Sequence, residues 1–83
     1  MLVKIFWREN CPGCPRAKAI GKQLEEQGIK VAYLNVDREG LEQAMEYGIM
    51  SVPTIIVESD GQLVAQWSGN PPGADVILAQ VRT

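Results

Sequence analysis

The sequence predicts an α/β domain in the order β-α-β-α-β-β-α, a four-stranded mixed sheet flanked by helices. Three observations carry that prediction. Val31-Ala32-Tyr33-Leu34-Asn35-Val36 is nearly continuously apolar, as a strand buried on both faces of a parallel sheet is. Before it, apolar residues recur at helical spacing, so the segment reads as strand, crossover helix, parallel strand. After it, Asp60-Gly61 lies between two strand-like runs, a strong signal for a two-residue hairpin.

Each element follows in order. Leu2-Val3-Lys4-Ile5-Phe6-Trp7 reads as the first strand and Arg8-Glu9-Asn10 breaks it. A helix is predicted from about Pro12 to Gln27, with Gly28 just past its end as a left-handed cap. Ala17, Ile20, Gly21 and Leu24 share one face of it. Gly21 costs roughly 1 kcal/mol of helix propensity against Ala, so a close approach to the sheet is expected there. Asp37 is the expected N-cap of a short helix that turns Leu41, Ala44 and Met45 inward and closes at Gly48. Thr54 to Glu58 and Gln62 to Trp67 form the hairpin. After Pro71-Pro72-Gly73, a last helix from about Ala74 to Val81 faces Val76, Ile77 and Val81 to the core.

Length and composition bound the function. The 83 residues are expected to form a single domain, 1–83, near the lower limit for an unassisted apolar core. A 46% hydrophobic and 22% charged content is that of an ordinary globule. No apolar run is long enough to span a membrane and no secretory signal pattern is visible, so the cytoplasm is the expected location. Net charge is −2 with the lysines and arginines scattered, which argues against nucleic acid as a partner. Histidine is absent, which excludes a His-dependent triad, a His-ligated metal and an imidazole base. Two cysteines, ten carboxylates and the backbone remain.

Cys11 and Cys14 stand at i and i+3 where a strand gives way to a helix. On a first helical turn their α-carbons are expected about 5–6 Å apart, within the window for an unstrained disulfide. The bond can then form and break without moving the backbone. Cys11 is expected at the N-cap, where the N–H groups of Gly13 and Cys14 and the helix dipole favour the thiolate. Pro12 falls at the first helical position, where its missing N–H costs little. Pro15 biases Cys14 away from helical geometry. Arg8 and Arg16 would add attraction for the thiolate and Glu9 would oppose it. A C-x-x-C is also half of many zinc or iron–sulfur sites, but those need four ligands, and a metal here would need carboxylates or a second copy of the chain. No metal is expected. A purely structural cross-link closes little entropy over so short a loop. Redox chemistry is the reading that remains.

With this pair and Val52-Pro53-Thr54 leading a later strand, the chain resembles the thioredoxin superfamily over essentially its whole length. Phe6-Trp7, Val31-Ala32-x-Leu34-Asn35-Val36-Asp37 and Tyr47-Gly48-Ile49-x-x-Val52-Pro53-Thr54 carry the resemblance, with Gly61 and Gly69 at family glycine positions. It implies the thioredoxin fold in minimal form and a cis Val52–Pro53 bond facing the cysteines. It further implies that the backbone of Val52 pairs with an extended substrate. The alternative is an ordinary trans proline starting an edge strand. Several positions depart from thioredoxin. Its extra N-terminal strand and helix have no counterpart here, and Pro12 directly after the first cysteine is similar to glutaredoxins. Asn10 stands where thioredoxin has a tryptophan, Ile5 where it has a buried aspartate and Tyr33 where it has a buried lysine.

The resemblance implies a thiol–disulfide oxidoreductase, a dithiol reductant of protein disulfides. Cys11 would be the nucleophile and Cys14 the resolving thiol, with Pro12 and Gly13 completing the active-site loop. Val52 and Pro53 would bind substrate, and Asn10, Trp67 and Gly69 are candidates for its surface. No bound cofactor is expected beyond the Cys11–Cys14 disulfide. Disulfide-containing proteins are the expected partners, with a flavin-dependent, thioredoxin-reductase-like enzyme as the external reductant and a monomer as the expected state. Two readings stand beside it: a glutathione-coupled glutaredoxin, and a redox-sensing or docking module with little turnover. Asp75 could grip glutathione in the first of these, or cap the last helix. Trp67 could equally be packing.

Overall fold

A computed structural model describes residues 1–81 of the chain. Strands β1 (Leu2–Trp7), β2 (Lys30–Asn35), β3 (Thr54–Ser59) and β4 (Gln62–Ser68) form one sheet in the order β2-β1-β3-β4. β1 pairs parallel with β2, Val3 opposite Val31 and Phe6 opposite Leu34. It pairs antiparallel with β3, Ile5 opposite Ile55, and β3 pairs antiparallel with β4. Asp60 and Gly61 make the β3–β4 turn with φ of 53° and 79°. Two left-handed residues in succession are what a type I′ hairpin requires. Further up this hairpin the register passes from Val57 opposite Ala65 to Glu58 opposite Leu63, leaving Val64 without a partner.

Alternation along the strands splits the core into two layers. On one face Val3, Ile5, Ile55 and Val57 pack with Ala17, Ile20 and Leu24 of α1 (Cys14–Glu26) and with Ile77 and Val81 of α3 (Ala74–Val81). On the other, Phe6, Val36 and Ile56 pack with Ala44 of α2 (Leu41–Tyr47). Around that smaller layer Lys4 Nζ donates to Gln43 Oε1 at 2.8 Å, to Tyr47 Oη at 3.1 Å and to Glu58 Oε2 at 3.2 Å. The Tyr47 hydroxyl donates to the same Glu58 carboxylate. This network ties α2 to β1 and β3.

Helix α1 ends as its sequence predicts. Gly28 takes φ of 82°, its N–H bonds Glu25 O at 2.9 Å and the Ile29 N–H reaches Leu24 O at 3.1 Å. That pair of bonds is a Schellman motif, and Ile29 packs against the same core as Leu24. Gly21 allows the helix to approach the sheet closely: a Cβ there would lie 2.6 Å from Ile5 Cδ1 and 2.7 Å from the Tyr33 hydroxyl.

Five expectations are corrected. α1 starts at Cys14 with Gly13 as its N-cap, rather than at Pro12. α2 starts at Leu41 behind Gly40, because Asp37 is drawn into an ion pair with Arg8 and leaves no side-chain cap. Only Ala44 of α2 is buried; Leu41 and Met45 are 51% and 73% exposed, since a helix this short meets the sheet along one narrow line. Val76 is likewise exposed, one residue off the Ile77–Val81 line that faces α1. β2 is an edge strand, half-buried, so its apolar run does not mean burial on both faces. No helix of the described residues is long and apolar enough to cross a membrane.

Candidate active site

The end of β1, the start of α1, the loop before β3 and the turn after β4 meet at one end of the sheet. Cys11 and Cys14 are joined there by a disulfide, with their α-carbons 5.3 Å apart. The Cys14 N–H donates to Cys11 O at 3.2 Å, closing a four-residue turn. Gly13 has φ of −89° and ψ of −11°, the values of the third residue of a type I turn. Pro12 occupies the second position of that turn, where its fixed φ fits, and Pro15 occupies the first turn of the helix, where a missing N–H costs nothing. The two prolines thus divide the work that the sequence reading assigned to Pro12 alone.

Cys11 accordingly lies outside the helix rather than at its N-cap, and the N–H of Cys14 is bonded to the Cys11 carbonyl rather than aimed at its sulfur. The disulfide still places both sulfurs at the positive end of α1, whose first turn carries no acidic residue to offset the dipole. Asn10 precedes Cys11 with φ of 58°, a left-handed conformation that asparagine tolerates better than most residues. Cys14 is 2% exposed and Cys11 is partly exposed, so Cys11 is the more accessible of the two.

The Val52–Pro53 bond is cis. The turn of the cysteines rests on it: a Cβ at Gly13 would stand 3.2 Å from Pro53 Cδ and 3.7 Å from Gly69 O. The Gly69 N–H in turn donates to Pro53 O at 2.9 Å, and Arg16 Nη1 donates to Pro71 O at 2.5 Å. Beneath, Thr54 Oγ1 donates to Ser51 O at 2.7 Å. Among the described residues no group bonds the N–H or the C=O of Val52, so both remain available to a chain laid alongside.

The structure brings Asn10, Cys11, Pro12, Gly13, Cys14, Val52, Pro53 and Gly69 together. Trp67 is set apart from them: its ring packs on the α1–α3 core opposite Ile55. Asp75 folds back over the start of α3, its Oδ1 2.8 Å from where a Cβ of Gly73 would be. Of the charged groups weighed from sequence, Arg8 is held by Asp37 at 2.8 Å and 3.2 Å. That bidentate pair lowers the Asp37 pKa and raises that of Arg8, chiefly through the hydrogen bonds. Tyr33, where thioredoxin has its buried lysine, donates to Glu25 Oε1 at 2.6 Å, and its pKa is raised first by burial and then by that bond.

Two residues of the site escaped the sequence reading. The residues that line a cleft of about 540 Å³ beside the disulfide include Trp7, Arg8, Glu9, Cys11, Cys14 and Lys18. Lys18 Nζ lies 3.2 Å from the centroid of the Trp7 ring. Such a cation–π contact is worth about 0.5–2 kcal/mol, enough to hold an otherwise mobile side chain. The Trp7 Nε1–H is buried without an acceptor among the described residues. The signal was present in the spacing, since Lys18 stands at i+4 from Cys14 on one helix. Among the described residues no group of three or more His, Cys, Asp or Glu could hold a metal ion.

Comparison with known proteins places this arrangement. The sequence model of the thioredoxin domain matches residues 1–81. Thioredoxin of Methanocaldococcus jannaschii is 37% identical over 65 residues, covering 75% of this chain and 75% of that protein. Thioredoxin of Bacillus subtilis is 33% identical over 70 residues, covering 81% of this chain and 66% of that protein. A solved point mutant of Halobacterium salinarum thioredoxin superposes with a TM-score of 0.84 at 27% identity, covering 98% of this chain and 71% of that one.

Proposed function

This chain belongs to the thioredoxin family and is a thiol–disulfide oxidoreductase, and from that premise we propose that it works as a dithiol reductant of protein disulfides. The observation that carries the reading is the turn of Cys11 to Cys14 resting on cis-Pro53, beside the unengaged backbone of Val52. An extended substrate segment pairs with Val52, which presents its disulfide to Cys11. The Cys11 thiolate attacks one substrate sulfur and the other leaves as a thiolate, giving a mixed disulfide. Cys14 then attacks Cys11 and releases the reduced substrate. The oxidised pair is recharged by a flavin-dependent reductase in the cytoplasm, the protein acting as a monomeric single domain without a bound cofactor. Asn10 and Gly69 border the path of the substrate.

Mixed-disulfide trapping tests the roles. Cys14→Ser is expected to accumulate a covalent adduct with a disulfide-bearing protein, and Cys11→Ser to form none and turn nothing over. An adduct on Cys14 in the Cys11→Ser protein, with none on Cys11, would reverse the two roles. The reduction potential tests the direction. A value near thioredoxin's, about −270 mV, supports the reductase reading, whereas one roughly 80 mV or more higher, with rapid reduction by glutathione, would replace it with glutathione coupling.

A further inference from the structure

The mechanism above leaves the deprotonation of Cys14 without an agent. Cys14 is 2% exposed, and burial disfavours a thiolate. No buried carboxylate lines the cleft beside it: its one acidic residue is Glu9, which is exposed, and the place of thioredoxin's buried aspartate is held by Ile5. A thiol there needs either a base or a nearby positive charge.

Lys18 is placed to supply the charge. Helical side chains lean toward the N-terminus, so a residue at i+4 lies over the turn that contains residue i, here Cys14. The Trp7 ring holds the ammonium at 3.2 Å, and Trp7, Lys18 and both cysteines line the same cleft. The two arginines nearest the cysteines in sequence are engaged elsewhere, Arg8 by Asp37 and Arg16 by the Pro71 carbonyl. Segments 51–53 and 69–73, which close the site from the other side, contain no titratable side chain.

We propose that Lys18 is a positioning residue for the resolving step, its ammonium pinned on Trp7 so that it stabilises the thiolate of Cys14. The inference rests on the dithiol reading above. The Cys14 thiol gives its proton to solvent at the mouth of the cleft, and the thiolate attacks Cys11 Sγ of the mixed disulfide. The Cys11–Cys14 bond forms as the bond from Cys11 to the substrate sulfur breaks. That sulfur leaves as a thiolate and takes a proton from water, so the cysteine pair loses two electrons and the substrate gains them. Lys18 takes no part in the proton transfer.

The test is a pH titration of Cys14 alone. In a Cys11→Ser background the ultraviolet absorbance of the thiolate is followed against pH, with Cys11→Ser/Cys14→Ser subtracted. Adding Lys18→Met or Lys18→Gln is expected to raise the midpoint by about half to one unit, and Lys18→Arg to leave it near its starting value. In the otherwise intact protein the neutral variants should slow release of substrate from the mixed disulfide roughly three- to tenfold below that midpoint. A midpoint unmoved by both neutral variants, or moved as far by Lys18→Arg, would overturn the proposal. The titration uses no substrate and no reducing partner. Lack of disulfide turnover would therefore count against the reductase reading alone, and an unmoved midpoint against Lys18 alone.

Discussion

Gly21 sets two effects of known size against each other. Helix propensity favours Ala there by about 1 kcal/mol. Packing opposes it, because the added methyl would stand 2.6 Å from Ile5 Cδ1, in a side chain that is fully buried. Overpacking of a core costs about 1–3 kcal/mol, so Gly21→Ala should destabilise by up to about 2 kcal/mol net. Thermal unfolding checks this, and Ile5→Val in the same chain should relieve only part of the loss, because the Tyr33 hydroxyl stays 2.7 Å from the added methyl. Tyr33 gives a second residue-scale expectation. Its pKa is raised in the folded protein, so the stability tied to its neutral form is complete below the ordinary phenol range near 10 and is lost as pH rises beyond it. Stability measured from neutral to strongly alkaline pH should fall less steeply in Tyr33→Phe; an unchanged slope would show that another group governs the alkaline limb.

At the scale of elements, α2 rests on few apolar contacts and on the Lys4 network. Lys4 and Glu58 are each 14% exposed in their side chains, so removing one strands the other where water reaches it poorly. Lys4→Met alone should destabilise by about 2 kcal/mol, less than the 3–5 kcal/mol of a fully buried pair, and Lys4→Met with Glu58→Leu should restore most of it. Denaturant unfolding of the single and double variants decides. This network also shows what the sequence could reveal. The helix cap at Gly28 and the hairpin at Asp60-Gly61 were legible because neighbouring residues determine them. The start of α2 was not, because Arg8 takes Asp37 from 29 positions away. Leu41 and Met45 looked like core residues because a helix of seven residues carries too few turns to define a face. Pro12 and Pro15 each suit a helix start, and only the turn closed by Cys11 O separates their roles.

Across the whole molecule, the redox pair is a minor contributor to stability. A loop closed over four residues constrains the unfolded chain by about 2 kcal/mol at most in the chain-entropy account. Both core layers lie outside it, on elements the disulfide does not span. The reduced protein should therefore stay folded, its unfolding free energy lower by no more than about 2 kcal/mol. Loss of the folded state on reduction would mark the bond as a structural cross-link and count against a reversible role. The meeting of four segments at one end of the sheet was visible in the sequence only through resemblance. Spacing alone placed Cys11 and Cys14 on one turn, but nothing local to Pro53 or Gly69 points to the cysteines.

The unpartnered Val64 bears on how this protein behaves when crowded. β4 is one of the sheet's two edge strands, and Leu63 and Val64 are 52% and 43% exposed along it, a sequence that could template the addition of a second chain. The extra residue interrupts the ladder at that place and increases the local twist, so an incoming strand cannot keep its hydrogen bonds in phase beyond it. An irregularity with no part in the redox chemistry thereby works against strand addition at this edge of the sheet, the one opposite β2.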